Sequence, residues 1–257
     1  MSRVVSILFA AYFFTTSMFF VLGSALVCAL VAPFDPNRKL VHLYTGLWAN
    51  FYLVTNPFWK LTFEGRENLD AKQVYVLVAN HQSYADIIVL FLLYFPFKWV
   101  SKDSIFRVPA IGWNMQLNQY VGLARGNLAS IKEMMAICRN WLKRGSSIMM
   151  FPEGTRSANG ELQPFRDGAF RLAIDCGLPL VPIVIDGTHE ILPKGGKTVN
   201  LKGQVRVKIL PPVYADSFER SSAKMRDHVY SLMKETLAGM RAPRPSESSC
   251  KPAVAQR

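Results

Sequence analysis

The N-terminal part of the sequence contains a long stretch without any charged residue, from Val4 to Phe34. As a helix, the part up to Val31 would be about 42 Å long at ~1.5 Å per residue, which exceeds the roughly 30 Å hydrocarbon core of a bilayer. A cleaved signal peptide is the competing interpretation, but its apolar region runs to about 7 to 15 residues and ends at a small-residue cleavage site. We therefore expect a retained membrane helix that ends near Pro33, where Asp35 returns the chain to water.

A second segment, from about Leu40 to Leu61, combines helical spacing of apolar residues with aromatic residues suited to the membrane interface. Asn50, Asn56 and Pro57 argue against a membrane-spanning helix. An amphipathic helix at the level of the lipid headgroups accounts for this mixture. The alternative is a surface helix packed on the protein's own domain. Residues 1–61 are thus predicted to form a membrane-anchoring helical segment.

The chain is basic, with 30 Lys and Arg against 18 Asp and Glu and a formal net charge of +12. Such an excess favours an anionic partner, either a nucleic acid or the negative face of a bilayer. The apolar N-terminal segment decides for the bilayer, and we expect no nucleic-acid partner. The four cysteines are scattered, with no C-x-x-C pair and no clustered histidine, which predicts reduced thiols and no metal site. Reduced thiols, together with Arg38 and Lys39 after the apolar segment, predict a domain that faces the cytoplasm.

Beyond residue 61, short apolar runs bounded by turn residues alternate with helical patterns and predict buried strands. The runs are residues 74–79, 97–101, 120–124, 147–151, 180–185 and 205–210. Leu128 to Lys143 is the clearest helix, and apolar residues from Met225 to Met240 mark a last amphipathic one. The alternation predicts an α/β fold with a mostly parallel sheet covered by helices. We place this domain at residues 62–241 and expect a disordered tail over residues 242–257.

Polar residues follow the first of these strands, in the segment Asn80 to Asp86 (NHQSYAD). The ends of strands are where open α/β sheets usually form their sites. His81 and Asp86 are five residues apart, which on a regular helix would place them about 140° apart, so they meet only if the intervening residues form a turn. In that case Asp86 can fix the imidazole tautomer and stabilise the imidazolium. By itself an H-x-x-x-x-D pattern is a weak motif.

A second polar segment, Phe151 to Ser157 (FPEGTRS), also follows a predicted strand. Gly154 allows a close backbone approach or an unusual φ, and Arg156 offers a bidentate fork for phosphate. For a single loop, an ordinary turn with a solvated arginine would be the simpler interpretation. Two polar loops that end neighbouring buried strands instead favour one site for a phosphorylated ligand.

Taken together, the NHQSYAD and FPEGTRS segments resemble the glycerophospholipid acyltransferase family, typified by the 1-acyl-sn-glycerol-3-phosphate acyltransferases. Further segments are similar to those of the family in the same order: SKDSIFRVPAIGW with Lys102, VGLARGN with Arg125, and VPIVIDG at residues 181–187. The resemblance covers roughly residues 60–215. One departure is the pair Leu123-Ala124, where the family often has a bulkier pair before the arginine.

The resemblance implies an enzyme that transfers a fatty acyl group from acyl-CoA or acyl carrier protein to the sn-2 hydroxyl of lysophosphatidate, giving phosphatidate. No metal, cofactor or acyl-enzyme is implied. A histidine, whose ordinary pKa is about 6.5, cannot deprotonate an alcohol in advance, so His81 would act as general base during the attack, oriented by Asp86. The substrate-binding residues implied by the resemblance are Lys102, Arg125, Glu153, Gly154, Thr155 and Arg156.

Three other functions compete with this hypothesis. Ser83 lies beside the histidine and invites a serine hydrolase, but the chain contains no G-x-S-x-G elbow, so we expect Ser83 to serve a turn or a helix cap. A membrane-bound lipid-binding protein without turnover would not depend on His81. Another lysophospholipid or lysolipid is the alternative acceptor, although two arginines favour a phosphomonoester.

Overall fold

The computed structural model describes residues 3–195 and 199–242, and within them the chain forms eight α-helices and seven β-strands. The helices are α1 (Arg3–Val31), α2 (Lys39–Val54), α3 (Ala85–Phe91), α4 (Ile111–Leu117), α5 (Leu128–Lys143), α6 (Gly168–Cys176), α7 (Thr188–Ile191) and α8 (Ser222–Arg241). The strands are β1 (Trp59–Glu64), β2 (Val76–Ala79), β3 (Phe97–Lys102), β4 (Val121–Leu123), β5 (Ser147–Met150), β6 (Leu180–Asp186) and β7 (Gly203–Ile209). The predicted tail, apart from residue 242, lies outside the described residues.

The seven strands form one sheet in the order β1-β7-β6-β2-β5-β3-β4. Every neighbouring pair is parallel except β6 and β7, which confirms the predicted α/β fold with a mostly parallel sheet. Strand β2 lies near the centre and is buried on both faces. Val76 and Val78 face a core with α5, α6 and α8, whereas Leu77 and Ala79 face a core with α3. The polar loops that follow β2 and β5 therefore emerge side by side at one edge of the sheet.

The second N-terminal segment differs from the predicted helix of residues 40–61. Helix α2 ends at Val54, before Asn56 and Pro57, and the chain then enters strand β1, which pairs in parallel with β7. Trp59, Leu61 and Phe63 pack against the core of the sheet, and the residues between them are exposed. This alternation, with a period of two residues, distinguishes the strand from a helix. The sequence interpretation missed it because it assigned these aromatic residues to a membrane interface.

Helix α1 ends at Val31, close to the expected position, and packs antiparallel on α2. The hydroxyl of Tyr12 lies 2.8 Å from that of Thr55, and nearer the other end Gly23 faces Tyr44. A Cβ atom at Gly23 would collide with the Tyr44 hydroxyl, so the close approach of the two helices requires glycine. The part of α1 from Ala10 to Val31 is long and apolar enough to cross a membrane. On its outer side it exposes large apolar residues, among them Leu22, Leu26 and Leu30.

Candidate active site

The first polar loop connects β2 to α3 and folds around the carboxylate of Asp86. This carboxylate accepts hydrogen bonds through Oδ2 from the backbone N–H groups of Gln82 (2.7 Å) and Ser83 (2.9 Å). These bonds close the turn that the pairing of His81 with Asp86 requires. The same Oδ2 lies 2.8 Å from Nδ1 of His81. The hydroxyl of Ser83 accepts a hydrogen bond from the backbone N–H of the first residue of α3 and donates one to the backbone oxygen of Leu192, so Ser83 belongs to the turn before the helix.

Asp86 is completely buried, and its second carboxylate oxygen is also engaged. Oδ1 accepts a hydrogen bond of 2.5 Å from the hydroxyl of Thr188, at the start of α7. Three donors and the Nδ1 atom of His81 thus surround the carboxylate. A Nδ1–H group of His81 that donates to Asp86 leaves the Nε2 lone pair available, and Nε2 has no hydrogen-bond partner within the described residues. This geometry can accept a proton from a ligand at Nε2.

The imidazole ring of His81 is held in place by packing. It stacks on the ring of Phe151, with a centroid separation of 3.9 Å and an angle of 10° between the planes. Phe151 in turn stacks on Trp99 of β3 at 5.4 Å. The side chain of His81 is only about a tenth exposed. Because its ring has an aromatic face on one side and a carboxylate at Nδ1, its orientation is fixed.

Glu153 connects the second polar loop to the first. Its Oε1 accepts a hydrogen bond from the backbone of His81 (2.8 Å), and its Oε2 accepts one from the backbone of Gln163 (3.1 Å). A further bond joins the backbone N–H of Ser157 to the backbone oxygen of His81 (2.7 Å). The pKa of Glu153 is raised to about 7, chiefly by burial and to a smaller extent by the Asp86 carboxylate, against the two backbone hydrogen bonds, which lower it. The two loops therefore form one unit around His81.

Arginine side chains gather beside this unit. The guanidinium of Arg156 lies 3.7 Å above the ring of Tyr84, which belongs to the histidine loop. The side chain of Arg166 lies across Gly154, so close that a Cβ atom at that glycine would be 2.7 Å from Arg166 Nε. Gly154 also has a φ of +67°, a conformation that favours glycine. The backbone N–H of Arg166 donates to the backbone oxygen of Pro152 (2.8 Å), which fixes this arginine to the loop.

Arg125 follows β4 and belongs to the same group. Partial burial and the neighbouring Arg166 guanidinium lower the pKa of Arg125, and Tyr84 acts in the opposite direction. Within residues 3–195 and 199–242, none of Arg125, Arg156 and Arg166 forms an ion pair with a carboxylate. Three positive charges without acidic partners are unfavourable unless an anion joins them. This arginine cluster, defined as these three residues, is therefore suited to an anion with more than one negative charge.

The structure does not bring every predicted site residue into this group. Lys102 is exposed at the end of β3, where it pairs with Leu123, two residues before Arg125. Both cations thus leave the sheet at the same edge, but no side-chain contact in the described part of the chain connects Lys102 to the cluster. Thr155 is also exposed, and its hydroxyl lies 3.4 Å from Nζ of Lys194.

Sequence reasoning missed three residues that the structure places at the site. Arg166 is one, and nothing in its local sequence indicates that it lies over Gly154. Lys194 is another; its Nζ donates to the backbone oxygen of Arg156 (2.7 Å). Thr188 is the third, and a signal for it was present. It follows a buried strand, so the rule that pointed to His81 at the end of β2 applies equally at the end of β6.

Comparisons with known proteins agree with this architecture. A family model described as acyltransferase matches residues 60–186. A 1-acyl-sn-glycerol-3-phosphate acyltransferase from Salmonella typhimurium is 30% identical over 231 residues, covering 85% of this chain and 90% of that protein. The chloroplastic enzyme of the same name, LPAT1, from Arabidopsis thaliana is 39% identical over 202 residues, covering 78% of this chain and 56% of that protein. A relative from Chlamydomonas reinhardtii is 39% identical over 219 residues, covering 82% of this chain and 65% of that protein.

The chain thus spans 56 to 65% of the length of the plant and algal relatives named here, and most of the bacterial one. A solved structure with the same fold is that of the 1-acyl-sn-glycerophosphate acyltransferase PlsC from Thermotoga maritima. The TM-score is 0.79 at 24% identity, and the similarity covers 95% of this chain and 100% of that one.

Proposed function

Because the chain belongs to the 1-acyl-sn-glycerol-3-phosphate acyltransferase family, we propose that it transfers a fatty acyl group from an acyl thioester to the sn-2 hydroxyl of lysophosphatidate, giving phosphatidate. The observation that carries this proposal is the His81–Asp86 pair, with Nε2 unengaged within the described residues, in a hydrogen-bonded pair of loops that lies beside an arginine cluster. Acylation of a phosphorylated alcohol requires a base and a phosphate-binding group that lie side by side.

In the proposed reaction, Nε2 of His81 accepts the proton of the acceptor hydroxyl while the hydroxyl oxygen attacks the thioester carbonyl carbon. Asp86 holds the imidazole through Nδ1 and stabilises the imidazolium that forms. The tetrahedral intermediate then collapses, the carbon–sulfur bond breaks, and the sulfur takes the proton from Nε2. The products are an ester and a free thiol. No covalent acyl-enzyme, metal or cofactor takes part.

The arginine cluster supports lysophosphatidate as the acceptor. A phosphomonoester carries close to two negative charges near neutral pH, whereas a phosphodiester carries one. Arg125, Arg156 and Arg166 together offer more positive charge than one phosphodiester neutralises, and guanidinium groups bind phosphate oxygens in a bidentate manner. In this proposal Glu153, Gly154 and Thr155 shape the phosphate pocket, and Lys102 adds a cation at its edge.

The membrane association is supported by the apolar outer side of α1. Its exposed leucines, with Leu47 and Val54 of α2, form a surface that water solvates poorly, and we place this surface in the bilayer. The α/β domain then lies on the cytoplasmic side, where acyl-CoA and acyl carrier protein are made. The chain's net charge of +12 favours contact with the anionic lipids of that face.

An acceptor screen tests the proposal. Purified protein in detergent is supplied with labelled acyl-CoA and, separately, with lysophosphatidate or its choline and ethanolamine esters. We expect labelled phosphatidate from lysophosphatidate and at least tenfold slower acylation of the two esters. Faster acylation of an ester would replace the proposed acceptor with another lysophospholipid. Labelled free fatty acid as the main product would indicate a hydrolase.

A further inference from the structure

An open cavity, the α1–α4 groove, lies between α1 and α4. It measures about 450 Å³, within the range of about 300–1,000 Å³ typical of small-molecule sites. Its walls are mainly apolar and come from α1 and α4: Val21, Leu22, Ala25, Cys28, Trp113 and Leu117. Gln119, at its edge, precedes β4, whereas Arg125 follows this strand. The cavity and the arginine cluster therefore lie at opposite ends of β4.

One cation, Arg38, lines this apolar cavity. Its Nε and Nη1 atoms are buried and have no hydrogen-bond partner within the described residues. The acidic residue closest in sequence, Asp35, accepts hydrogen bonds from the backbone of Lys39 (2.9 Å) and Leu40 (2.7 Å) and forms no ion pair with Arg38 there. Arg38 is only partly buried as a whole, but its Nε and Nη1 donors have lost their hydration without gaining acceptors, which is unfavourable. An anion in the cavity would compensate the positive charge of Arg38 where this side chain lines the cavity.

The surroundings of the cavity decide which kind of anion fits. Leu22 is exposed, and the apolar surface continues along α1 to Leu26 and Leu30. Trp113 is 48% exposed at the edge, as aromatic residues are at membrane interfaces. A small soluble anion would leave these apolar walls in water, whereas a lipid would cover them with its acyl chain.

We propose that this groove binds one anionic phospholipid, with the phosphate at Arg38 and an acyl chain along α1 between Val21 and Cys28. The exposed amide side chains of Gln116 and Gln119 at the edge are placed to bind the glycerol or the phosphate oxygens. The bound lipid is neither acyl donor nor acceptor. Because it lies between α1 and α4, this membrane lipid connects the anchoring helices to the α/β domain.

Native mass spectrometry of the full chain in neutral detergent micelles tests this site. Phosphatidylglycerol is titrated against phosphatidylcholine with the same acyl chains. We expect one saturable phosphatidylglycerol adduct, with an apparent Kd about tenfold below that of phosphatidylcholine. Arg38→Gln should weaken the adduct about tenfold, whereas Lys39→Gln, an equal loss of charge at the adjacent exposed residue, should leave it unchanged.

Two further variants distinguish binding in this groove from binding at the arginine cluster and from attraction to the charge of Arg38 alone. Arg156→Gln should keep the adduct, because its arginine belongs to the cluster at the other end of β4. Ala25→Trp should abolish the adduct by filling the groove while Arg38 remains, and thermal melting establishes that this variant is folded. Equal binding of the two lipids, full binding by Arg38→Gln or Ala25→Trp, loss of the adduct in Arg156→Gln, or its displacement by equimolar glycerol 3-phosphate would each overturn the proposal.

Discussion

The hydrogen bond from Thr188 to Asp86 provides a direct way to perturb the His81–Asp86 pair without touching either residue. Thr188→Val keeps the shape of the side chain and removes only the hydroxyl that donates to Asp86 Oδ1. Both residues are completely buried, so water cannot replace the missing donor. A hydrogen bond to a charged acceptor contributes about 1.5–3 kcal/mol.

The loss of this hydrogen bond should lower both the stability of the fold and the rate of catalysis. Asp86 keeps its two backbone donors and His81, so we expect the fold to persist with a lower melting temperature. The carboxylate is then held less firmly, and the imidazolium that forms during the reaction is less well oriented. If about 1.4–2.8 kcal/mol of the loss appears in the transition state, kcat falls about 10- to 100-fold. The KM for lysophosphatidate should stay within about twofold, because the arginine cluster is unchanged.

The assay measures initial rates of labelled phosphatidate formation by the wild type, Thr188→Val and Thr188→Ser in detergent. Thr188→Ser retains a hydroxyl and should recover most of kcat, which a purely structural role of the methyl group would not produce. A wild-type kcat in Thr188→Val would refute the reasoning. So would a loss confined to KM, or a Thr188→Ser variant as slow as Thr188→Val.

The other predictions concern the loops and the anchor. The pKa of Glu153 is raised from an ordinary value of 4.5 to about 7, so the folded state binds more protons between these values. The free energy of unfolding should therefore fall, by up to about 3 kcal/mol, as pH rises from about 4.5 through 7, and Glu153→Gln should flatten this dependence in denaturant titrations at several pH values. Gly154→Ala should cost about 1–2 kcal/mol and raise the KM for lysophosphatidate, because a methyl group at positive φ collides with Arg166, and steady-state kinetics checks this. Arg166→Gln should raise the same KM about tenfold and leave the KM for acyl-CoA unchanged, in assays that vary one substrate at a time. Leu22→Glu with Leu26→Glu should move the protein from the membrane to the soluble fraction, whereas an unchanged distribution after centrifugation would place the anchor elsewhere.

Most of the fold could be predicted from the sequence, because its central strands are continuous apolar runs. Residues 74–79 and 180–185 carry this signal, and the structure places strands β2 and β6 there. Strand β1 lacks the signal, because an edge strand buried on one face shows only alternation. In Trp59–Glu64 that alternation is mixed with aromatic residues that also suit a membrane interface.

Only part of the site could be predicted from the sequence, because some of its contacts join residues that are far apart along the chain. His81 and Asp86 lie within one turn, so local geometry indicated that they meet. Arg166 reaches Gly154 only because the segment before α6 folds back onto the second polar loop. Thr188 reaches Asp86 across 102 residues, through the pairing of β2 with β6. No local pattern indicates the contact of Arg166 with Gly154, and the only signal for Thr188 is its position after a buried strand.

The measurement that tests the central claim most directly compares phosphatidate formation by the wild type and by His81→Ala. Both are purified in detergent and supplied with labelled acyl-CoA and lysophosphatidate, and a melting curve establishes that the variant is folded. If His81 accepts the hydroxyl proton, the wild type forms labelled phosphatidate and the variant is at least about 1,000-fold slower with little change in KM. Phosphatidate formation by His81→Ala at a rate close to that of the wild type would contradict the account.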